Sequence, residues 1–528
     1  MSNKTHRDQE QFRQAALDYH KSEPKGKIEV IPSKPHSSQR DLSLAYSPGV
    51  AEPCLEIEKN PKTVYEYTSK GNLVAVISNG TAVLGLGDIG AEASKPVMEG
   101  KGLLFKIFAD INVFDIEINE KDPDKFIEIV KGIAPTFGGI NLEDIKAPEA
   151  FYIEQRLKEE LDIPLMHDDQ HGTAIISAAA LINALELAGK KIEEVKMVVN
   201  GAGAAAIACT KLYVELGLSK ENVLMCDSKG VINHKRENLT PEKIDFIAHT
   251  EIETLEDALK GADVFVGLSK GNVMTAEMLQ SMADNPLVFA LANPTPEIDY
   301  NLAVSVREDV IMATGRSDFP NQVNNVLGFP YIFRGALDVQ ASGINEEMKL
   351  AAVRAIADLA KEPVPEMVKL AYNVKNLGFG REYFIPKPFD NRLLTKVSIA
   401  VAKAAIDSGI AGKPIMDFEA YETQLLDRMG RDEKLIRMMQ NRARSNPKRV
   451  VLGNAEEYNV LKAAQILYEE GIAHPILLGE KKYILEQMEK FDIHLDVPIV
   501  DPSDDDQEEN HRKYRKTLWE LTNRKGIN

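Results

Sequence analysis

Cysteine and aromatic residues are scarce in this sequence. Its 528 residues include three cysteines, at positions 54, 209 and 226, one tryptophan and 6% aromatic residues. No two cysteines form a CxxC pair, so neither a disulfide framework nor a zinc ribbon is expected. We predict three reduced thiols, with Cys209 and Cys226 in a protein core.

The sequence also predicts neither a signal peptide nor a membrane-spanning run. Met1–Glu10 is polar, so no signal peptide is expected. The most apolar segment, Ala174–Ala188, is predicted to be an Ala-rich helix, but Ser177, Asn183 and Glu186 interrupt it. It is shorter than the ~20 apolar residues of a membrane-spanning helix. We therefore expect no membrane association and predict a cytoplasmic protein.

Positive charge is in deficit. The chain has 63 basic and 81 acidic residues and a net charge of -18, which argues against nucleic acid as a partner. Hydrophobic residues make up 44% and charged residues 27%, as in ordinary soluble globular proteins. At ~150 residues each, about three or four domains are expected.

The rhythm of short apolar runs predicts an α/β fold. In residues 166–425, four buried-type strands are separated by helical or loop segments; they are Met197–Val199, Val223–Met225, Val264–Val266 and Val288–Leu291. This spacing is typical of βαβ units and predicts a Rossmann-type, doubly wound parallel sheet. Residues 1–165 are predicted to form a separate N-terminal α/β domain, with a first helix at Gln9–Lys21.

Residues 430–528 repeat the α/β rhythm on a smaller scale. Strands are predicted at Arg449–Leu452 and Pro475–Leu478, with a helix at Glu456–Glu470 between them. Two or three strands do not complete a doubly wound sheet, so we predict a partial α/β domain and expect the chain to be a fragment of a longer protein.

Two segments match the glycine pattern of dinucleotide-binding loops. They are Gly85–Gly90 and Gly201–Ala206, which reads Gly201, Ala202, Gly203, Ala204, Ala205, Ala206. Either match alone is weak evidence, and an acid follows each one at a similar distance, at Asp110 and Asp227.

The helix after the loop distinguishes the two segments, because its amide groups must point at the pyrophosphate. Pro96, Gly100 and Gly102 are expected to break a helix after Gly90, whereas Ala204–Leu216 contains neither glycine nor proline. We predict that the second loop binds the dinucleotide and that the first lets its backbone approach a substrate.

The nucleotide preference stays open at this point. Asp227 ends the second predicted strand, where a carboxylate can accept both hydroxyls of an adenine ribose, which favours NAD. Four nearby residues could instead hold the 2′-phosphate of NADP; they are Ser228, Lys229, Lys235 and Arg236.

Adjacent carboxylates mark a candidate metal site. Asp168 and Asp169 follow the apolar run Ile163–Met166, and Glu143 and Asp144 lie in an earlier loop. Mg²⁺ or Mn²⁺ prefers carboxylate oxygens from more than one segment. Taken alone, Glu143 and Asp144 are more often favourable charges at a helix N-terminus.

The histidines on either side of the aspartates have HxxxH spacing, as in some zinc sites. His167 and His171 are separated by the aspartate pair, and Gly172 follows them. That context makes a zinc-binding helix improbable.

Six blocks of the sequence resemble the malic enzymes of the bacterial type. They are Tyr46–Ala51 (YSPGVA), Val83–Gly90 (VLGLGDIG), His167–Thr173 (HDDQHGT), Ala292–Glu297 (ANPTPE), Gly315–Asn325 (GRSDFPNQVNN) and Ile385–Asp390 (IPKPFD). Residues 449–528 resemble the first part of a phosphotransacetylase domain. Malic enzymes with such a domain form the multidomain type, which is usually NADP-linked.

The resemblance implies oxidative decarboxylation of (S)-malate to pyruvate and CO₂ with reduction of NADP, NAD being the alternative. Tyr46 would protonate the enolate carbon, and Lys101 would be the base that takes the hydroxyl proton of malate. The metal, Mg²⁺ or Mn²⁺, would bind Glu143, Asp144 and Asp169, with Asp168 in a supporting position. A homo-oligomer is implied, with acetyl-CoA as an effector of the full-length protein.

The glycine loops indicate the binding surfaces, and the resemblance adds the asparagines to them. Cofactor contacts would come from residues 201–206, Asp227 and Asn293. Substrate contacts would come from Gly85, Gly87, Gly90, Asn293, Asn324 and Asn325.

Two departures from the family pattern leave questions. Larger malic enzymes carry an arginine before the GLG motif that clamps the malate carboxylate, and here Asn79–Val83 contains none. The carboxylate would then bind backbone amides of residues 85–90 or the asparagines. The tail reads Leu452–Glu456 where a transacetylase has an acidic Pro-Glu-Gly entry. Most of a transacetylase active site would be expected beyond residue 528, so we predict no acetyl transfer.

Two other classes of function compete with this interpretation. One is a phosphate acetyltransferase with an accessory nucleotide-binding region, which acetyl phosphate formation would support. The other is a non-catalytic sensor that binds nucleotide and acyl-CoA. The presence of Tyr46, Lys101 and all three acids together weighs against a sensor.

Overall fold

The computed structural model describes residues 2–83, 85–372, 374, 376–428, 439, 442–491, 493, 495–503 and 508–522. These residues group into two compact units. The first comprises Met1–Pro363 and Gly378–Met429, and the second comprises Val364–Leu377 and Gly430–Asn528.

The first unit contains a four-stranded parallel sheet. Its strands are β1 Leu73–Ser78, β2 Asn112–Glu117, β3 Gly139–Leu142 and β4 Leu165–His167, in the order β2-β1-β3-β4. All six residues of β1 are buried, as expected for a parallel strand covered on both faces. β3 and β4 are neighbours with Leu142 opposite His167, so their carboxyl ends meet at one edge of the sheet.

The second sheet of this unit has six strands. They are β5 Met197–Asn200, β6 Val223–Asp227, β7 Gly230–Val231, β8 Val264–Gly267, β9 Leu287–Ala290 and β10 Ile311–Thr314. The order is β10-β9-β8-β5-β6-β7, and all pairs are parallel except β6 with β7. The predicted doubly wound fold is therefore confirmed. The chain reverses direction across the sheet at β5, and dinucleotides bind at such a switch point.

Helices precede, connect and follow the strands. In chain order they are α1 Ser2–Lys21, α2 Gln39–Ala45, α3 Ala51–Lys59, α4 Val64–Tyr67, α5 Ala91–Ala109, α6 Pro123–Ile133, α7 Glu149–Glu160, α8 Asp168–Ala188, α9 Ala204–Glu215, α10 Pro241–Ile244, α11 Leu255–Leu259, α12 Ala276–Gln280, α13 Tyr300–Val306, α14 Phe329–Asp338, α15 Glu346–Lys361, α16 Glu366–Ala371, α17 Arg392–Asp407 and α18 Phe418–Asp427. Of these, α16 belongs to the second unit. The first two sheets share one unit, so the domain boundary predicted at residues 165/166 stays a prediction.

The predicted helix break after Gly90 is wrong. α5 runs unbroken through Pro96, Gly100 and Gly102. Packing outweighs propensity here, because Met98 and Phe105 are fully buried on this helix. A Cβ at Gly102 would lie 2.7 Å from Ile28 Cδ1, so the missing side chain lets neighbouring chain approach closely.

Helix α8 begins at Asp168, earlier than the predicted start at Ala174, and is 21 residues long. By length and composition it could cross a membrane, so the length argument made from the sequence fails. Two-thirds of its apolar window (67%) is buried inside the protein, as in the core helix of a soluble protein. The burial of α8, and not its length, therefore indicates that it is a core helix.

Cys209 and Cys226 are buried, as predicted, while Cys54 is exposed and all three are free thiols. Burial raises the pKa of both Cys209 and Cys226 to about 12, which keeps them protonated and unreactive.

The N-terminal segment lies on the surface. Among residues 10–72, whose side chains the structure describes, none is buried. Several large apolar side chains on it are exposed, among them Phe12, Tyr19, Leu44 and Tyr46. The helix predicted at Gln9–Lys21 is present and begins earlier, at Ser2.

The second unit contains a three-stranded parallel sheet. Its elements are β11 Lys448–Leu452, α19 Tyr458–Glu469, β12 Ala473–Leu478, α20 Lys481–Lys490, β13 Ile499–Val500 and α21 Glu508–Thr522, with strand order β11-β12-β13. The segment Val364–Leu377 groups with this unit, which the sequence did not indicate. Within the unit, the Lys462 ammonium binds Glu366 Oε2 at 3.1 Å, and both side chains are buried.

Candidate active site

Neighbouring parallel strands bring the two acid pairs together. Glu143 and Asp144 follow β3 directly, and Asp168 and Asp169 begin α8 directly after β4. The Asp144 amide donates a hydrogen bond of 2.8 Å to Asp169 Oδ2. Because α7 begins only at Glu149, the alternative reading of Glu143 and Asp144 as helix N-terminal charges is excluded.

Three of these carboxylates form a compact group. Glu143, Asp144 and Asp169 each offer an oxygen, and the three atoms lie within 4.8 Å of one another. Asn141 Nδ2 donates to Glu143 Oε2 at 2.8 Å and fixes that carboxylate. Asp144 has a positive φ of 53°, an uncommon conformation for a residue other than glycine. The backbone is thus held in an unfavourable state where the carboxylates converge.

Lys101 lies between the two acid pairs. Its Nζ is 2.9 Å from Glu143 Oε1 and 2.5 Å from Asp168 Oδ2, and its side chain is only 10% exposed. The ammonium also lies 4.3 Å from the ring centre of Phe329. Helix α5 thereby delivers a buried cation to the carboxyl edge of the first sheet.

The cluster has an excess of negative charge. Burial raises the pKa of Glu143 to about 8, and the attraction of Lys101 does not reverse the effect. Burial, followed by the charge of Asp144, raises the pKa of Asp169 to about 7. Burial alone would lower the pKa of Lys101, but Asp168, Glu143 and Asp169 together raise it. The single ammonium of Lys101 therefore does not neutralise the four carboxylates around it.

Asp168 contacts the lysine and stands apart from the three clustered carboxylates. Its Oδ2 accepts hydrogen bonds from Lys101 and, at 3.2 Å, from Asn325 Nδ2. Asn325 Oδ1 in turn accepts a hydrogen bond of 3.1 Å from Thr173. The neighbouring Asn324 has a different task, since its Oδ1 caps the amide of Val326 at 3.0 Å.

Neither His167 nor His171 belongs to the group of candidate metal ligands among the described residues. His167 is fully buried, and among the described residues neither ring nitrogen has a hydrogen-bond partner. His171 lies between Glu154 Oε2, at 3.0 Å, and the Lys349 ammonium, at 3.1 Å. Burial lowers the pKa of each histidine to about 4, so both rings are neutral at pH 7.

Glu154 was missed by the sequence analysis. Its Oε1 accepts the backbone amide of His167 at 3.0 Å, and its Oε2 accepts from His171. It thus joins α7 to the start of α8. Its position on the buried face of a helix, among several other glutamates, gave no signal of this function.

The first glycine loop approaches one of the predicted substrate residues. Twelve residues, 79–90, lie between β1 and α5, so this loop is not the tight turn of a dinucleotide site. A Cβ at Gly85 would lie 3.4 Å from the carbonyl oxygen of Asn293, while Gly87 and Gly90 face open space. Of this motif, Leu84 is outside the described residues.

The second glycine loop has the geometry of a dinucleotide site. Three residues, Gly201 to Gly203, connect β5 to α9. Gly201 has a φ of 134°, and a Cβ there would lie 2.5 Å from the carbonyl oxygen of Leu268. Gly203 precedes α9 and has no atom within 4 Å of its Cβ position, so a pyrophosphate could approach the helix amides. Ala202, Ala204 and Ala205 are partly exposed, and Ala206 is buried.

Asp227 ends β6 but is already bound by cations. Its Oδ2 accepts from Arg236 Nη2 at 2.9 Å and from the Lys243 ammonium at 3.1 Å, and its Oδ1 accepts the Lys229 amide at 2.9 Å. Lys243, 16 residues further along the chain, was missed because only the fold brings α10 to the end of β6.

Tyr46 is the predicted residue that the structure does not bring to the cluster. It follows α2, and its side chain is 77% exposed. Among the described residues, no hydrogen bond joins its hydroxyl to Lys101 or to the four carboxylates.

The Rossmann-type sheet, the open glycine loop and the acid–lysine cluster together define a dinucleotide-dependent oxidoreductase. The chain matches the family profiles "Malic enzyme, N-terminal domain" over residues 25–158, "Malic enzyme, NAD binding domain" over 170–378 and "Phosphate acetyl/butaryl transferase" over 434–528. The chain belongs to the malic enzyme family.

Curated relatives and solved structures agree. Over 524 residues, the chain is 56% identical to the NADP-dependent malic enzyme of Salmonella typhimurium, covering 98% of this chain and 69% of that protein. It is 51% identical over 520 residues to the NAD-dependent malic enzyme of Rhizobium meliloti, covering 97% and 67%. The malic enzyme structure from Pyrococcus horikoshii, 44% identical, matches with a TM-score of 0.74 and covers 82% of this chain and 99% of that one.

Proposed function

We propose that this protein oxidises (S)-malate with NADP and decarboxylates the product to pyruvate and CO₂, with the help of Mg²⁺ or Mn²⁺. The observation that carries the proposal is the Lys101 ammonium between Glu143 and Asp168, beside a group of three carboxylates. An acid–base group next to a cation site suits a reaction that moves a hydroxyl proton and leaves an enolate.

The residues fit a divalent cation. Glu143, Asp144 and Asp169 supply oxygen ligands from two segments, as hard cations require. Burial and the neighbouring carboxylates raise the pKa of Glu143 and of Asp169, and a bound cation would stabilise the ionised forms of both. When bound, the ion would polarise the C2 oxygen and stabilise the negative charge left by the departing CO₂.

Lys101 is proposed as the base for the C2 hydroxyl. Burial favours its neutral form, and the surrounding carboxylates favour its charged form. Once the charge of the carboxylates is compensated, burial dominates, and the lysine can accept a proton. Glu143 and Asp168 hold the amine in place, and Asn325 donates a hydrogen bond to Asp168.

The remaining predicted residues have supporting functions in this proposal. Asn293 and the backbone of residues 85–90 would bind the substrate, because Gly85 lies against the Asn293 carbonyl. Tyr46 would donate the proton to the enolate carbon. Since Tyr46 is exposed, it has to reach the site by movement of its segment or from a second copy of the chain.

NADP rather than NAD is proposed as the preferred cofactor because Arg236 and Lys243 lie where the adenine ribose is expected.

The wider setting proposed is a cytoplasmic homo-oligomer with acetyl-CoA as an effector that acts through residues 434–528. Titration of acetyl-CoA into the malate assay tests this last part, which fails if the rate does not change in a full-length protein.

The function is tested with the purified chain, Mn²⁺ and malate, with NADP or NAD as oxidant. Reduced nicotinamide and pyruvate are expected in equal amounts, and a chelator is expected to abolish both. If neither nucleotide is reduced at any Mn²⁺ concentration, the proposal is wrong. Formation of acetyl phosphate from acetyl-CoA would instead support the acetyltransferase alternative.

A further inference from the structure

The end of β6 carries more positive charge than its acidic residue suggests. Asp227 has one carboxylate, and two cations share its Oδ2, so the group has an excess of one positive charge. All three side chains are largely buried, with exposed fractions of 11% for Asp227, 18% for Arg236 and 24% for Lys243. Partial burial makes these charges count for more than they would in free solution.

Asp227 has little capacity left for a ribose diol. To accept both hydroxyls, its oxygens would have to give up hydrogen bonds with Arg236, Lys243 or the Lys229 amide. Burial alone would raise the pKa of Asp227, but these hydrogen bonds hold it at about 2. The Asp227 carboxylate is therefore ionised, and its Oδ2 is already bound by the two cations.

Within the described part of the chain, the two cations, in contrast, retain donors that no acceptor uses. Arg236 uses Nη2 for Asp227, and its Nη1 contacts the carbonyls of Gly230 and Val231 at long distances of 3.4 and 3.3 Å. Among the residues that the structure describes, the Lys243 ammonium contacts only the Asp227 carboxylate. An arginine fork and an ammonium held side by side suit a phosphate group, which offers several acceptor oxygens.

Position connects this pair to the cofactor. β6 is the second strand of the βαβ unit formed by β5, α9 and β6, and the residue at its end normally faces the adenine ribose. The Gly201 amide donates to the carbonyl of Cys226, next to Asp227, so the glycine loop and the cation pair are adjacent.

We propose that Arg236 and Lys243, oriented by Asp227, bind the 2′-phosphate of NADP, and that Asp227 is a positioning residue and not a diol acceptor. This proposal rests on the proposed function only for the identity of the cofactor. It adds Lys243 to the site and reverses the function that the sequence suggested for Asp227.

Lys235 supplies a matched control. It is adjacent to Arg236 in sequence, but its ammonium is 2.8 Å from each of Glu251 and Glu253. Its charge is therefore already compensated on the surface, and we expect no contribution to phosphate binding.

The test compares two probes by calorimetry in the full chain: adenosine 2′,5′-bisphosphate and adenosine 5′-monophosphate. Arg236→Ala and Lys243→Ala should each weaken the bisphosphate about 10- to 100-fold, as for a lost charge-assisted hydrogen bond, and change monophosphate binding less than twofold. Lys235→Ala should change neither. Lys243→Arg should recover most of the affinity, and thermal unfolding checks that each variant is folded.

Asp227→Asn separates the two functions of the carboxylate. A positioning residue predicts unchanged monophosphate binding and unchanged KM for NAD. If Asp227 instead accepts the ribose diol, monophosphate binding should be lost and KM for NAD should rise.

The proposal is overturned if that loss occurs, if the alanine variants bind the bisphosphate like the wild type, or if the wild type does not distinguish the two probes. In turnover, the variants should raise KM for NADP and leave kcat unchanged. If malate oxidation is absent altogether, the proposed function fails while the calorimetric result still decides the binding site.

Discussion

Lys101 Nζ lies 2.5 Å from Asp168 Oδ2, across the gap between α5 and the first residue of α8. Asn325 Nδ2 donates to the same oxygen at 3.2 Å, so the lysine, the aspartate and the asparagine form one line of hydrogen bonds. Asp168 therefore binds Lys101, the proposed base, while Asp169, the next residue, belongs to the group of three carboxylates. Adjacent residues at a helix start point in different directions, which separates the two aspartates.

Removal of the proposed base should abolish catalysis without loss of the cofactor. Lys101→Ala is expected to lower kcat by about 10²-fold or more, because general base catalysis contributes that much. NADPH binding, followed by fluorescence titration, should stay within twofold. Lys106→Ala is the control, since Lys106 is on the same helix and its ammonium pairs with Asp110 on the surface. A Lys101→Ala variant with a tenth of the wild-type rate or more would refute the assignment.

The two aspartates should differ in metal binding. Asp169→Asn is expected to weaken Mn²⁺ binding at least about 10-fold, because one charged ligand is lost. Asp168→Asn should leave Mn²⁺ binding nearly unchanged and lower kcat, because it contacts Lys101 instead. Electron paramagnetic resonance of free Mn²⁺ measures the Mn²⁺ affinity of both variants. Glu128→Gln, on the surface, is the control. Equal effects of the two variants on Mn²⁺ would contradict the separation.

The two glycines of the cofactor loop should respond differently to alanine. At Gly201 an added Cβ meets the Leu268 backbone at 2.5 Å, so Gly201→Ala should destabilise the fold by about 1–3 kcal/mol. At Gly203 the Cβ position is open, so Gly203→Ala should change the free energy of unfolding by less than about 0.5 kcal/mol. It should nevertheless weaken NADP, because the methyl group occupies the space of the pyrophosphate.

Urea unfolding together with NADPH titration distinguishes these outcomes. A Gly203→Ala variant that binds NADPH like the wild type would show that the pyrophosphate does not approach this loop.

His171 should make the protein sensitive to acid. Its pKa is lowered to about 4 in the fold, from about 6.5 in the unfolded chain, so the unfolded state binds more protons between these values. Stability is then fully present above pH 6.5 and is lost as the pH falls towards 4, by at most about 3 kcal/mol from this group.

His171→Gln retains a donor for Glu154 and an acceptor for Lys349 but cannot be protonated. The variant should show a shallower loss of unfolding free energy between pH 6.5 and 4, measured by urea denaturation. Parallel curves for variant and wild type would mean that other groups cause the acid sensitivity.

Tyr46 should matter for turnover in spite of its exposure. Tyr46→Phe keeps the ring and removes the proton donor, and we expect kcat to fall by about 10²- to 10⁴-fold with little effect on NADP binding. Tyr67→Phe is the control, since Tyr67 is also exposed in the N-terminal segment. Mixed samples of the Tyr46→Phe and Lys101→Ala chains would regain activity only if Tyr46 acts on a second copy. Full activity of the Tyr46→Phe variant alone would remove it from the mechanism.

Local patterns predicted much of the fold. The four strands predicted in residues 166–425 are β5, β6, β8 and β9, each within two residues of the predicted ends. Short runs of Val, Ile and Leu between loops identify buried parallel strands without knowledge of their neighbours. Helix α5 shows the limit of such patterns. Its Pro96 and glycines argue against a helix locally, yet burial of Met98 and Phe105 outweighs that cost.

The sequence by itself determined that this is an α/β protein with a glycine loop of the dinucleotide-binding pattern and two pairs of acids, because these signals are local and periodic. Only the tertiary structure decided which groups meet. The pairing of β3 with β4 places Glu143 beside Asp169, α5 brings Lys101 to Asp168, and α10 brings Lys243 to Asp227. Such contacts join residues far apart in the chain, and they depend on strand order and helix packing, which no local pattern encodes.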